Sequence, residues 1–270
     1  MIRGKKVLIV IPTKNSEKYL KSVIRSCLNQ SYKNFEILIV DNNSDDNTLK
    51  IAEQNNIKVI NKGPERSYQK NYGANYTNDA NYVLFLDSDA LLEERVIEEC
   101  VNISEKNKLD MIIIPERHIG TSLWAKAKAL ERSFYLGDDS IECPWFFNKK
   151  SFLEVGGYSE EMFAGEDWDL FNRMLSKKFK YARCNSYINH QLGDLKYFEY
   201  INKKKYYGKN LKNYMKSNKK NSIKKIPIFR ISLIKNLFLN LNKPILLTSI
   251  LLLKLGEIIY VIIGMCKNEK

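Results

Sequence analysis

The chain has 270 residues and a formal net charge of +13. With 44% hydrophobic and 28% charged residues, it has the composition of a core-forming protein, which excludes disordered or fibrous architecture as an overall description. The charge is uneven: residues 201–270 hold 16 basic residues against only Glu257 and Glu269, while the first 200 hold 28 basic against 29 acidic. The basicity therefore belongs to the C-terminal segment, and the expected division is a body over 1–200 and an extension over 201–270. Cys27, Cys100, Cys143, Cys184 and Cys266 are scattered and contain no Cys-x-x-Cys pair, which argues against a disulfide framework or a zinc cluster.

Val7 to Ile11 is a continuous apolar run, as expected of a strand covered on both faces. It is too short for a secretory signal, so it reads as a buried strand of a protein facing the cytosol. Tyr19, Leu20, Val23, Ile24, Cys27 and Leu28 then recur at helical spacing, with Ser16 as the expected cap. Phe35–Val40 reads as a second strand, Thr48–Gln54 as a helix, Ile57–Ile60 as a third strand, Ser67–Tyr76 as a helix and Tyr82–Leu86 as a fourth strand ending at Asp87. Strands alternating with helices predict a mostly parallel α/β sheet flanked by helices. Further on, helices are expected over Glu93–Lys106, Leu123–Tyr135 and Asp167–Ser176. Strands are expected over Met111–Ile114 and Glu142–Phe147, and an extended segment over Tyr181–Ile188 leads to His190.

In such a sheet, ligands bind beyond the carboxyl ends of the strands, and here those ends are polar. The first strand runs into Pro12, Thr13, Lys14 and Asn15, the second into Asp41, Asn42, Asn43 and Ser44, and the fourth into Asp87, Ser88 and Asp89. Any one of these clusters is equally an ordinary turn; three on one predicted edge point to a site. Two carboxylates one residue apart suit a hard divalent cation, Mg2+ or Mn2+, although Asp89 is also a plausible cap of the next helix. Glu166-Asp167-Trp168-Asp169 opens a predicted helix. It reads either as an acidic first turn favoured by the helix dipole or as a general base aimed into a cleft.

Taken together, these pieces resemble the family-2 glycosyltransferases. They occur in that family's order: Ile11-Pro12-Thr13-Lys14-Asn15, Asp41-Asn42-Asn43-Ser44 with Asn47-Thr48, Arg66 through Lys70-Asn71 and Gly73, Asp87-Ser88-Asp89, Gly156-Gly157-Tyr158, and Glu166-Asp167. The resemblance covers residues 5–190 and implies the A-type glycosyltransferase (GT-A) fold with inverting transfer of a sugar from a nucleotide-sugar to an acceptor hydroxyl. It implies that Pro12, Thr13, Asn15 and Asp41 line the donor pocket, that Arg66 and Lys70 lie near the donor phosphates, and that Asp87 and Ser88 contact the donor. By the same resemblance Asp89 holds the metal, Asp167 is the base and Glu166 orients the acceptor. His190 stands where relatives with this fold often place a metal-contacting histidine; a capping or core role is equally open. Asn42 and Asn43 replace the Asp and Gly usual in the family, and Lys70 replaces a more usual Arg, losing a planar two-pronged donor. No Gln-x-x-Arg-Trp sequence occurs; since that motif accompanies the processive synthases, transfer of a single sugar is expected. His118 is expected in a loop with a solvent-facing or structural role, and Trp145 either in the core or at the acceptor pocket.

From Lys203 to Lys225 there are ten lysines and no acidic residue. The apolar segments that follow are expected to form helices near Ile228–Leu241 and Ile245–Met265. A polybasic run beside apolar helices predicts attachment to an anionic membrane surface, so the expected location is the cytoplasmic membrane face, with a lipid-linked or saccharide acceptor. Nucleic acid is not expected, because no nucleic-acid module accompanies the lysines. Lys254 and Glu257 fall mid-helix, and Ser249, Gly256, Tyr260 and Gly264 form a narrow small or polar stripe beside Glu257. This favours an in-plane or shallowly inserted helix over a spanning one; the alternative is that the stripe packs on the catalytic domain. Two other classes remain open: a nucleotidyltransferase, although its glycine-rich loop after the first strand is missing, and a noncatalytic peripheral membrane protein.

Overall fold

A computed structural model describes residues 4–162, 165–205, 208 and 231–266. Most of the lysine run, at 206–207 and 209–230, and the expected start of the next helix at Ile228 lie outside the described residues.

The chain forms two compact units. The first comprises residues up to Glu116, Cys143–Glu161 and Glu166–His190. It is built on β1 (Val7–Thr13), β2 (Phe35–Asp41), β3 (Lys58–Asn61) and β4 (Tyr82–Phe85), followed by β5 (Ala90–Leu92), β6 (Met111–Ile113), β8 (Pro144–Asn148) and β9 (Tyr181–Arg183). Its helices are α1 (Glu17–Leu28), α2 (Thr48–Gln54), α3 (Arg66–Ala74), α4 (Val96–Asn107), α6 (Lys149–Glu154) and α7 (Glu166–Ser176). The strand order is β3-β2-β1-β4-β8-β6-β9. β1 is parallel to β2 and β4, β2 to β3 and β6 to β9, whereas β8 runs antiparallel to both β4 and β6.

The continuous apolar runs follow from burial on both sides. Val7, Ile9, Ile11, Ile37, Ile39 and Leu84 face one layer, with Leu20, Val23 and Ile24 of α1 and Ile97 and Cys100 of α4. Leu8, Val10, Leu38, Val40, Val83 and Phe85 face the other, with Ala74 of α3, Phe152 of α6 and Leu170, Phe171 and Met174 of α7. Each such side chain stabilises the fold by about 1.5–3 kcal/mol relative to exposure, so a polar residue at either parity is costly. Polar residues are thereby confined to the strand ends.

Ser16 occupies the N-cap position of α1 but makes no side-chain capping bond. Its hydroxyl lies 2.9 Å from that of Ser88, and the first turn is served instead by Asp46, whose Oδ2 accepts from the Glu17 N–H at 3.0 Å.

The second unit comprises Arg117–Glu142, Met162–Gly165 and residues from Gln191 onward. It contains most of β7 (Glu116–Gly120), α5 (Leu123–Ser133), the outer part of β10 (Ile188–Gly193), a helical stretch over 197–205, α8 (Ile231–Leu239) and α9 (Pro244–Cys266). The compact units thus divide away from residue 200, because α5 packs with α8 and α9: Ala127, Phe134, Tyr135 and Ile141 cluster with Leu233, Leu247, Ile250 and Leu253. His118, expected in a loop, lies on β7 and is half-buried; the short strand was hidden by the polar Glu116-Arg117-His118 sequence, which is not an apolar run.

On α9 the small and charged stripe faces inward. Ser249, Gly256, Glu257 and Gly264 are buried, as is Lys254. A Cβ on Gly256 would stand 2.5 Å from the Tyr197 hydroxyl oxygen, so glycine is what admits the 197–205 helix this close.

Candidate active site

Every residue that sequence reasoning assigned to the site falls in the first unit. The apolar strands deliver their polar ends to one edge. Thr13 and Asp41 are opposed in the parallel register of β1 and β2. The buried Asp41 accepts from the Thr13 hydroxyl at 2.7 Å and the Ser44 hydroxyl at 2.6 Å through Oδ1, and from the Ser44 N–H at 2.7 Å through Oδ2. Asp41 is thus the keystone of the turn that shapes this edge, with Pro12 buried beside it. Asn15 adopts a left-handed backbone, φ 49°. Its N–H donates to Ser44 Oγ at 2.9 Å and its side-chain oxygen accepts from the Asp45 N–H at 3.1 Å, joining the first two loops.

Gln69 of α3 is a residue that motif reading missed. Buried, it donates from Nε2 to the carbonyls of Thr13 at 3.0 Å and Val40 at 2.6 Å, which ties α3 to both strand ends. On an adjacent face, α3 sends Arg66 and Lys70, one turn apart from each other, toward the acidic groups. Arg66 pairs with Glu166 and lies 3.6 Å from Asp87 Oδ2. Lys70 is buried, with its Nζ 3.4 Å from Asp167 Oδ1 and 4.6 Å from the Tyr158 ring centroid. In this structure the two basic residues expected near the donor phosphates therefore also hold the two acids at the start of α7.

Asn71 explains the Gly156-Gly157-Tyr158 motif. Its side chain receives the Tyr158 N–H at 2.8 Å and donates to the Tyr158 carbonyl at 2.9 Å, and a Cβ on Gly157 would stand 2.4 Å from its Oδ1. With φ +66° at Gly157, the turn needs glycine for both space and conformation. This turn presents Tyr158 beneath Lys70 and leads toward α7, whose first turn carries Glu166, Asp167 and Asp169. Glu166 is buried, whereas Asp167 keeps 42% of its side chain exposed.

Asp87, Asp89 and His190 each offer a ligand atom within 4.8 Å of the others. They meet because β10 pairs antiparallel with β5 in the register His190↔Ala90, one residue past Asp89. His190 Nδ1 is 3.5 Å from Asp89, and Nε2 is 3.3 Å from Glu116. Burial disfavours the imidazolium, but its hydrogen bonds to Asp89 and Glu116 and the nearby Asp87 outweigh it and raise its pKa from 6.5 to about 10. Glu116 in turn accepts from the Trp145 indole N–H at 3.1 Å. The Trp145 ring lies 5.6 Å from that of His190, so Trp145 belongs to the support of this cluster. Glu116 was also missed; it follows the apolar run Met111–Ile114 and so obeys the strand-end rule that singled out Asp41 and Asp87.

The two carboxylates, with His190 as a neutral imidazole once a metal displaces its proton, form a donor set that fits a divalent cation of the Mn2+ or Mg2+ kind. The buried Asp87 Oδ1 has no hydrogen-bond partner among the described residues. A cation or a bound hydroxyl would satisfy it, which an ordinary surface turn would not require.

A mostly parallel sheet with an acidic pair beyond its fourth strand and a second acidic pair opening a later helix defines a nucleotide-diphospho-sugar transferase fold of GT-A type. The sequence profile of the family described as "Glycosyl transferase family 2" matches residues 8–175, and the chain belongs to that family. Poly(ribitol-phosphate) beta-N-acetylglucosaminyltransferase TarP of Staphylococcus aureus is 37% identical over 118 residues, covering 40% of this chain and 36% of TarP. Minor teichoic acid biosynthesis protein GgaB of Bacillus subtilis is 28% identical over 193 residues, covering 64% of this chain and 21% of GgaB. The matches thus cover well under half of these relatives. Among solved structures, the mannosyltransferase PcManGT of Pyrobaculum calidifontis, in complex with GDP-Man and Mn2+, aligns with a TM-score of 0.71 at 12% identity, covering 99% of this chain and 89% of that one. S. aureus TarS 1-349 in complex with UDP-GlcNAc aligns at 0.54 and 15% identity, covering 94% and 91%. At these identities the two structures establish the fold.

Proposed function

We propose that the chain is an inverting glycosyltransferase that moves a single sugar from a nucleotide-sugar to a hydroxyl of a lipid-linked or membrane-proximal acceptor, working as a peripheral protein at the cytoplasmic membrane face. The observation that carries this reading is the meeting of Asp87, Asp89 and His190 on the same unit as a partly exposed Asp167 held by Lys70. One cluster suits a leaving group that gains negative charge, the other a nucleophile that loses a proton.

In this reading Thr13, Asn15 and Asp41 shape the nucleotide pocket beside Pro12, and Asp87 and Ser88 contact the donor. Asp89 and His190 would hold Mn2+ or Mg2+, and the chemistry such a cation supplies is neutralisation of the charge on the departing nucleoside diphosphate. Asp167 takes the proton of the acceptor hydroxyl as the new glycosidic bond forms and the bond from the anomeric carbon to the diphosphate breaks on the opposite face. Lys70 fixes the direction of Asp167, and Arg66, which reaches both Glu166 and Asp87, fixes the acceptor-side acid relative to the donor side. The family relatives named for N-acetylglucosamine transfer make UDP-N-acetylglucosamine the first donor to try, beside other UDP- and GDP-sugars.

The test is to incubate the protein with these donors and Mn2+ or Mg2+, with and without membrane extract, and to measure released nucleotide. Release of nucleoside diphosphate supports the reading, and Asp89→Ala should then weaken metal-dependent donor binding by more than the roughly 10–100-fold that outer-shell changes cost. Release of pyrophosphate, or no nucleotide binding with any donor, overturns it.

A further inference from the structure

A helix on a water-facing surface carries its charged residues outward; α9 instead turns its charges inward, beside the buried Leu247, Ile250 and Leu253, and an apolar stripe outward. Its charged and small residues, Ser249, Lys254, Gly256, Glu257 and Gly264, are buried within the second unit. Its outward stripe is Ile245, Leu251, Leu252, Leu255, Ile259, Ile262 and Ile263, with Leu251 and Leu255 each 55% exposed and Ile262 54%. Among the described residues of α9 no charged side chain is exposed. Phe238, Leu239 and Leu241 at the end of α8 add three side chains that are each about two-thirds exposed or more, so the apolar surface continues beyond one helix. Patches of this kind on a single chain mark an interaction site.

The inward orientation is held by a ring of four charges, with Lys204 of the 197–205 helix close beside it. Lys254 Nζ lies 2.8 Å from Glu131 and 2.7 Å from Glu257, and Lys128 Nζ lies 2.6 Å from Glu131 and 3.1 Å from Glu257. Tyr200 donates its hydroxyl proton to Glu257. Two of the ring members come from α5 and two from α9, so any rotation of α9 that brought Leu251 and Leu255 inward would strip charged partners from buried groups, which is costly.

We infer that this outward stripe is a lipid-docking face on which α9 lies in the plane of an anionic bilayer, its leucines and isoleucines among the acyl chains and its charged stripe on the protein side. Charge selects the occupant. The chain from Lys203 to Lys225 carries ten lysines and no acid, Lys243 precedes α9 and Lys267 follows it. Basic residues on both sides of the apolar segment in the sequence match anionic headgroups above acyl chains. A spanning arrangement would carry α5, with Lys126 and Arg132 besides its ring members, into the hydrocarbon together with α9, whereas the in-plane arrangement leaves α5 on the water side. The inference rests on the membrane-proximal reading above and specifies its surface and orientation.

Flotation of the full chain with vesicles of phosphatidylcholine, with and without phosphatidylglycerol, tests it. Binding should be at least tenfold tighter with the anionic lipid, and the double variant Leu255→Glu/Ile259→Glu should lose at least tenfold. Both positions are exposed, so the variant should keep its melting temperature; a variant that unfolds is replaced by Leu251→Gln/Leu255→Gln. Cys266, exposed at the end of α9, should react with a membrane-impermeant maleimide added outside the vesicles in every bound molecule. Protection of half or more of the Cys266 thiols until detergent is added would show a spanning helix and overturn the in-plane face. A wild type that does not float would also overturn it, and a dimer that the double variant dissolves while vesicle binding is unchanged would overturn it and assign the stripe to a second copy. Nucleotide release without vesicle binding would sink this surface alone, whereas vesicle binding without nucleotide release would leave it standing and sink the enzymatic reading.

Discussion

The two units treat charge in opposite ways. In the first, acidic groups gather at the ends of strands and the start of α7 and stay open on one side: Asp87 Oδ1 is buried without a hydrogen bond among the described residues, and Asp89 and Asp167 are half-exposed. In the second, Lys128, Glu131, Lys254 and Glu257 are nearly fully enclosed and each is paired twice, while Leu251, Leu252 and Leu255 of α9 face outward. Incomplete satisfaction is costly for a fold and useful for binding, because a ligand supplies the missing partner. Mutual charge pairing does the reverse: each charge already faces two opposite charges, which fixes the orientation of an element. The same residue types therefore signify a site in one unit and a lock in the other.

The sharpest break in this comparison comes from Asp167→Asn. Loss of a general base should lower kcat for transfer about 10³-fold, with donor affinity unchanged within about twofold, measured by nucleotide release and by titration calorimetry. If kcat falls little, the exposed acid of the first unit is no different in kind from a surface cap.

In the second unit, Lys254→Met removes one member of the ring and leaves Glu131 and Glu257 each short of a partner. A stability loss of about 3–5 kcal/mol is expected, read by chemical denaturation, with nucleotide binding by the first unit retained. The double variant Lys254→Met/Glu257→Leu leaves the Lys128–Glu131 pair intact and should lose less than the single one. A double variant worse than the single would show that the ring contributes more than pairing.

A smaller effect tests the support of His190. Glu116→Gln keeps the shape but removes the acceptor charge facing Nε2, and metal-dependent donor binding should weaken roughly 10–100-fold while the melting temperature stays the same. Its measurement is donor binding at a series of Mn2+ concentrations; binding that is unaltered would make Glu116 a packing residue.

The smallest expected effect is one of pH. Burial works against the Glu131 carboxylate, but Lys128 and Lys254 outweigh it and hold its pKa below the ordinary 4.5. A group depressed on folding adds stability that is complete above its unfolded value and declines as the pH falls below it, by at most about 1.4 kcal/mol per pH unit for one proton. The stability difference between the wild type and Glu131→Gln should therefore be flat from pH 7 to about 5 and shrink below pH 4.5. A difference that stays constant to pH 3 would mean that Glu131 is not an ion-paired carboxylate.

Much of the first unit was legible in the residues. The buried runs at Val7, Phe35 and Tyr82 announce strands because only a strand covered on both faces tolerates apolar side chains at both parities, and the polar residues that end them mark the edge where a ligand sits. The direction of β8 was not legible: Pro144-Trp145-Phe146-Phe147 looks the same run either way, and only its pairing with β4 and β6 shows it to be antiparallel. Gln69 and Glu116 escaped for a similar reason, since neither belongs to a motif and each acquires its role through partners far along the chain, Thr13 and Val40 for one, Trp145 and His190 for the other.

By itself, then, the sequence determined the family, the alternation of strands and helices, and the placing of Asp41, Asp87, Asp89, Glu166 and Asp167 at element ends, because hydrophobic periodicity and local turn chemistry are written within a few residues. The tertiary structure alone decided that His190 meets Asp89, through the β5–β10 register, and that Lys70 meets Asp167. It also decided that α9 turns its charges inward, because its two charged residues find opposite charges on α5, more than a hundred residues earlier in the chain, and helical spacing cannot encode that pairing.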